Sequence, residues 1–195
     1  MTTFNNIQEI EDFLSSDEQQ RLIKYFCSPG FPWTLTVDAV SGVYNDVNTQ
    51  DDSVIGLFHT FLYDGKICSP GFDDIAWILD KFQSIEIDPK KLFRIRAGMF
   101  LKHPDPKPHP AHVDAAFKHV TAVYYVNDCD GDLYIWNETN FQFPFKKPDS
   151  HTLKKQIKTS QGKLVIFNGE HYHSSSYPTQ KALRVAVTFN FVVSA

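Results

Sequence analysis

The sequence predicts a mainly β, α+β domain, a sandwich or barrel with its N-terminal helices packed on one sheet. Three observations carry this. Strand-like runs crowd the chain from Leu92 onward, and both helical patterns lie before it. The last strand-like run alternates: Leu183, Val185, Val187, Phe189 and Phe191 are apolar, with Arg184, Ala186, Thr188 and Asn190 between them. Successive side chains of a strand point to opposite faces. One face of this strand can therefore bury against helices while the other lines the interior of a sheet sandwich, where an arginine needs an anion or an ionic partner. Helices first and strands after is the order of an α+β fold with segregated layers.

The elements follow in order. Phe4, Ile7, Ile10 and Phe13 mark a short strand or turn leading into a helix. Ser16 reads as that helix's N-cap and Gln19 as its capping-box partner. Leu22, Ile23 and Phe26 follow at helical spacing, and Ser28-Pro29-Gly30 ends the helix. Residues 33–43 form a predicted strand and 44–53 a polar loop; 54–63 form another strand, ended by the turn Asp64-Gly65. Ser69-Pro70-Gly71 opens a second helix, with Asp73 and Asp74 suited to its N-terminus and Ile75, Ile78, Leu79 and Phe82 on its apolar face. Residues 92–100, 120–127, 132–136, 163–168 and 182–193 are predicted strands. Between the first two of these, every second residue of 104–110 is proline, which makes an extended loop unable to donate to a sheet ladder.

At 195 residues the chain is long enough for one domain with a substantial core, residues 1–90 supporting a sheet core at 91–195. A net charge of −4 provides no field for nucleic acid or an anionic membrane. The three cysteines, Cys27, Cys68 and Cys129, have neither metal-type spacing nor an even count for disulfides. Reduced thiols, a start without a signal-peptide pattern and the lack of a long apolar run point to a cytoplasmic protein. With 17 phenylalanines, ordinary core packing is the first account of Phe141, Phe143 and Phe145 beside Trp136, ahead of an apolar substrate surface framed by loops 101–111 and 137–160.

The chemistry-bearing motif is His112-Val113-Asp114. The β-branched residue between the polar two favours extended backbone, so His112 and Asp114 project to one side. His103-Pro104-Asp105 repeats the spacing but lies in the proline loop. A second histidine from a distant segment completes a two-histidine, one-carboxylate set, which suits non-haem Fe(II) and leaves three positions open. Residues 162–173 supply two candidates, His171 and His173, just before the strand carrying Arg184. The planar fork of an arginine binds a carboxylate by two hydrogen bonds. His109 and His119 are expected at the surface.

Over residues 93–192 the sequence resembles the 2-oxoglutarate/Fe(II)-dependent oxygenases, in particular prolyl-4-hydroxylase-like members and small bacterial and phage enzymes. The likeness rests on His112-Val-Asp114, the segment 120–127 (Val-Thr-Ala-Val-Tyr-Tyr-Val-Asn), Asp130-Gly131, the segment 162–167, His173 and Arg184. It implies a double-stranded β-helix, or jelly roll, with Fe(II) held by His112, Asp114 and His173. His173 is preferred to His171 because its separation from Arg184, about ten residues, matches the family's spacing. Arg184 would bind the distal carboxylate of 2-oxoglutarate, with Tyr125 and, more weakly, Thr121 beside it. Many members carry a serine two residues after the arginine; here Ala186 stands there, and the contact passes to Thr188 or is lost. Asn190 stands where nucleic-acid demethylases carry a second arginine, which sets that subclass aside. The carboxylate of Asp114 argues against a halogenase.

The implied activity is hydroxylation of an unactivated C–H bond with O2, 2-oxoglutarate passing to succinate and CO2. The implied substrate is a peptidyl proline, another amino-acid side chain or a small metabolite, and no general acid or base is required. Two other readings fit the same residues: a cupin-like metal enzyme independent of 2-oxoglutarate, and a non-enzymatic jelly-roll binding module.

Overall fold

The computed structural model describes residues 6–37, 54–140 and 150–193. In chain order it forms β1 (Gln8–Ile10), α1 (Ser16–Phe26), β2 (Thr34–Thr36), β3 (Gly56–Tyr63), β4 (Lys66–Ile67), α2 (Phe72–Ile75), α3 (Ile78–Gln83) and a 3-10 turn (Pro89–Lys91). The strands β5 (Leu92–Leu101), β6 (His119–Tyr125), β7 (Leu133–Thr139), β8 (Leu153–Ile157), β9 (Leu164–Asn168), β10 (His171–Ser175) and β11 (Leu183–Val192) follow. An eight-stranded sheet runs β1-β9-β6-β11-β5-β3-β2, with β4 on β3, and a three-stranded sheet runs β10-β7-β8. Bridges from Pro108 to Ser176 and from His112 to His173 add the segment 108–112 to the open edge of the small sheet. The result is the expected jelly roll, a large and a small antiparallel sheet face to face.

β11 decides how the layers stack. Its Val185, Val187, Phe189 and Phe191 pack with Leu22 and Phe26 of α1, Ile75 of α2 and Ile78 and Phe82 of α3. The Phe82 ring lies 4.9 Å from Phe189 and 5.0 Å from Phe191. On the opposite face, Ala186 joins Val123 and Tyr125 of β6, Val165 and Phe167 of β9, and Leu133, Ile135 and Ile157 from the small sheet. The alternation in the sequence thus separates an outer, helix-covered core from the inner space between the sheets. Among the described residues no helix is long and apolar enough to cross a membrane.

Several details differ from the sequence reading. The N-cap of α1 is Ser15 rather than Ser16, with Glu18 rather than Gln19 closing the capping box. Gln19 is buried and donates instead to the Leu14 carbonyl at 2.9 Å, an anchoring role its side chain could not combine with capping. The second helix is two short ones. The Trp77 indole donates to the Asp74 carbonyl at 2.9 Å, taking the acceptor that Ile78 would use in an unbroken helix. The predicted strand 33–43 is β2 at its start; 38–53 lies outside the described residues, as do Phe141, Phe143 and Phe145. β4, β8 and β10 were not expected as strands. β8 is an edge strand with one buried residue, Ile157, and four exposed ones, so it shows no alternation. The turn Asp64-Gly65 is as expected, both residues adopting positive φ, 51° and 69°.

The approach to β11 hangs on Asp130. Its carboxylate accepts from the Thr179 backbone and hydroxyl at 2.8 and 2.7 Å, from Gln180 N at 2.8 Å and from Lys181 N at 3.0 Å. Burial raises its pKa, but these bonds outweigh that and hold the carboxyl well below the usual range. A depressed folded-state value means the stabilisation is present above the ordinary aspartate range, about pH 4, and is lost as pH falls below it. Asp130→Asn should therefore cost about 1–2 kcal/mol in urea unfolding at neutral pH, the low end for charge-assisted bonds at a partly exposed site. The gap from wild type should narrow as pH is lowered from about 5 towards about 2.

Candidate metal centre

The segment 108–112 and β10 run antiparallel, and His112 and His173 exchange both backbone bonds, His112 N to His173 O at 3.0 Å and His173 N to His112 O at 2.9 Å. The side chains of such directly opposed residues lie alongside, and the two imidazole centroids are 4.7 Å apart. The extended backbone ends at His112 and bends at Asp114. The aspartate thus reaches the histidines through a bend rather than along a strand face. Its Oδ1 lies 4.0 Å from His112 Nε2 and its Oδ2 3.7 Å from His173 Nε2. One ligand atom from each of the three lies within 4.8 Å of the others, and no other such cluster occurs among the described residues.

His171 takes no part. A β-bulge between His171 and His173 breaks the two-residue alternation. The His171 ring meets Lys154 Nζ at 2.8 Å instead. The bulge places the two histidines differently, and His173, the one preferred on its spacing from Arg184, is the one that meets His112 and Asp114.

The electrostatics suit a cation. His112 Nδ1 faces the Pro110 carbonyl at 3.3 Å and His173 Nδ1 the His171 carbonyl at 3.1 Å. With Nδ1–H donated to the backbone, each neutral ring turns a bare Nε2 towards Asp114. Burial pushes both imidazoles down, that of His173 to about 4, against the opposing pull of Asp114. Burial alone would push the Asp114 carboxyl up. The Arg94 guanidinium, then His173, His112 and a bond from Asn190, hold it well below the usual range. Two neutral imidazoles and one carboxylate are the donor set that suits Fe(II).

Arg184 borders the same cavity, of about 100 Å³, which is also lined by Arg94, Arg96, His109 and Thr188. It is 4% exposed. Its Nε donates to the Gly131 carbonyl at 3.1 Å, and its guanidinium carbon sits 5.2 Å from the Tyr125 ring centroid and 5.9 Å from that of Phe100. Among the described residues it has no carboxylate partner within 4.0 Å, leaving a buried cation that calls for an anion. The Tyr125 hydroxyl beside it is buried with no partner at good hydrogen-bond geometry; burial pushes its pKa up to about 12 against the pull of the neighbouring Arg184. A buried guanidinium with a hydroxyl beside it fits a dicarboxylate co-substrate. Thr121 is fully buried outside the cavity lining, and its hydroxyl accepts from Asn190 at 3.0 Å. Trp136 does not line this cavity either.

His109 and His119, expected at the surface, are buried. His119 starts a central strand, and a Cβ at Gly169 would overlap its ring. His109 packs against Phe100 and Tyr177 with ring centroids 4.7 and 4.4 Å away. Burial and then the charge of Arg184 lower its pKa to about 3. It lines both the cavity and a groove of about 770 Å³ bordered by Leu35, Ile55, Leu101 and the proline loop. Arg94, Arg96 and Asn190 were also missed as site residues. The signal for the arginines was present: they sit two apart on an otherwise apolar strand, the same pattern that exposed Arg184.

A family model of the 2OG-Fe(II) oxygenase superfamily matches residues 91–192. No curated protein matches significantly. Among solved structures, an oxidoreductase of the 2OG-Fe(II) oxygenase family from Burkholderia pseudomallei superposes with a TM-score of 0.67 at 12% identity, over 95% of this chain and 84% of that one. A prolyl-4-hydroxylase from Pseudomonas putida gives 0.57 at 16% identity, over 98% and 94%. A prolyl hydroxylase from Trichoplax adhaerens, in complex with a hypoxia inducible factor peptide fragment, gives 0.58 at 14%, over 96% and 84%. At these identities the structures share the fold.

Gly131 leaves no room for a side chain beside Arg184. A Cβ there would lie 2.6 Å from the Ser176 carbonyl oxygen and 2.9 Å from Arg184 Cδ. Gly131→Ala should lower stability by about 1–3 kcal/mol, the usual cost of overpacking, read as a fall in the urea midpoint.

Proposed function

The chain belongs to the 2OG-Fe(II) oxygenase superfamily, a 2-oxoglutarate-dependent dioxygenase using Fe(II) and O2, and we propose that it hydroxylates an unactivated C–H bond at a centre built from His112, Asp114 and His173. The observation that carries this reading is the convergence of those three side chains, within 4.8 Å of one another, at the wall of a cavity that also holds a buried arginine, Arg184, with no carboxylate partner among the described residues. Residues 1–195 act as one domain in this reading, with 1–90 supporting the core at 91–195. In its support, β1, β2 and β3 from the first part complete the large sheet formed by strands of the second.

The ferrous ion with 2-oxoglutarate and O2 supplies the oxidising chemistry. The chain's own residues orient and enclose. His112 and His173 present neutral Nε2 atoms because the backbone holds their Nδ1 protons. Arg184 binds the distal carboxylate of 2-oxoglutarate through its two terminal nitrogens, its Nε being committed to Gly131. Tyr125 donates its hydroxyl to the same carboxylate, and Thr188 replaces the serine lost at Ala186. The substrate is an amino-acid side chain of a peptide, prolyl first, or a small metabolite. It approaches along the groove between the proline loop and Leu35, Ile55 and Leu101.

Anaerobic titration with Fe(II) and then 2-oxoglutarate should produce a weak charge-transfer band near about 500 nm, as a bidentate keto acid on a facial ferrous site does. Iron bound without the band would favour a cupin-like enzyme independent of 2-oxoglutarate, and no iron bound would sink the site. Arg184→Met should weaken 2-oxoglutarate binding by at least about tenfold, the scale of one lost charge-assisted bond, with iron affinity nearly intact. His173→Ala should abolish iron binding while His171→Ala leaves it; the reverse pattern would transfer the ligand role to His171.

A further inference from the structure

Asp114 is held by more than its own backbone. Arg94 on β5 and Asn190 on β11 are directly opposed in the large sheet, and Asn190 faces Thr121 on β6. All three reach into the space between the sheets. Arg94 Nη2 contacts Asp114 Oδ1 at 2.5 Å, and Asn190 Nδ2 donates to Asp114 Oδ2 at 2.9 Å. Arg94 Nε donates to Asn190 Oδ1 at 2.8 Å, and Asn190 Nδ2 also donates to Thr121 Oγ1 at 3.0 Å. Arg94, Asn190 and Asp114 thus close a ring of polar contacts, and every polar atom of the Asn190 amide is engaged, which fixes its orientation.

We propose that Arg94, with Asn190, is a positioning residue that sets the carboxylate of Asp114 for metal binding. The inference rests on the reading of His112, Asp114 and His173 as the metal ligands. Asp114 lies on a bend, so no strand pairing fixes its side chain. Unclamped, its carboxylate could rotate away from the histidines or chelate an ion through both oxygens, closing a position that the chemistry needs open. The clamp places one donor on each oxygen from the large-sheet side. With those donors in place, Oδ1 and Oδ2 lie 4.0 and 3.7 Å from His112 Nε2 and His173 Nε2, respectively. Hydrogen-bonding partners of metal ligands commonly govern affinity in this way. Arg184 lines the same cavity without touching Asp114, which makes it an internal control for loss of a cavity arginine.

The test is Mn(II) binding to the full chain, followed by the EPR signal of free Mn(II), with the lineshape of bound Mn(II) reporting its coordination. Arg94→Met should weaken binding about 10–100-fold and alter the bound lineshape. Arg94→Lys should recover part of the affinity, because an ammonium reaches Asp114 but cannot also hold Asn190. Arg184→Met should leave Mn(II) affinity at the wild-type value. Unfolding of the metal-free proteins separates these effects from loss of the fold. If Arg94→Met does not fold, Asn190→Leu, which keeps the arginine, must weaken Mn(II) binding several-fold. Wild-type affinity in a folded Arg94→Met or Asn190→Leu protein would overturn the proposal. A wild-type protein that binds no divalent metal would instead remove the functional reading on which it rests.

Discussion

Two backbone hydrogen bonds between His112 and His173 hold the candidate centre together. They join residues far apart in sequence, one at the end of a proline-rich loop and the other on a short polar strand. Neither segment would hold its shape alone: residues 108–112 alternate with proline, and β10 carries no long apolar run. Pairing supplies what local propensity does not. Because the two residues are directly opposed, their rings stand together, and the bulge between His171 and His173 ensures that only one histidine of β10 faces inward.

The large sheet serves as the platform beneath this pair. One face is a conventional aromatic core in which Phe82 packs against both Phe189 and Phe191. The opposite face carries Arg94, Arg96 and Arg184 into the space between the sheets. Burying guanidinium groups is costly unless each finds a partner. Arg94 meets Asp114, whereas Arg184, with no carboxylate partner among the described residues, meets the Gly131 carbonyl and the rings of Tyr125 and Phe100. The asymmetry is what the proposed roles use, Arg94 on the carboxylate of Asp114 and Arg184 on the co-substrate. Asp130 and Gly131 connect this interior to the surface, the former securing the loop before β11 and the latter admitting the Arg184 side chain.

The strongly patterned parts were legible from the chain. The alternation of β11, the apolar face around Ile75, Ile78 and Phe82, and the Asp64-Gly65 turn each state their structure locally. Less legible were the features whose meaning depends on a partner. β8 and β10 lack alternation because their exposed or polar residues answer to the edge of the small sheet and to the cavity. The cap of α1, expected at Ser16, lies one residue earlier, at Ser15, where Glu18 rather than the buried Gln19 closes the box. His109 and His119 looked like surface histidines because nothing near them in sequence reveals the rings and strands that cover them.

By itself the sequence determined the layer order, the division of β11 into a helix-facing and a cavity-facing side, and the set of residues from which a ferrous site could be drawn. These follow from periodicities of two and of 3.6 residues and from side-chain chemistry, which are properties of the chain alone. The tertiary structure decided that a bend rather than a strand brings Asp114 to the histidines, that a bulge turns His171 away, and that Arg94 and Asn190 clamp the carboxylate. Each of these depends on the register between strands that are distant in sequence. Register is fixed by the packing of whole sheets, and no local pattern encodes it.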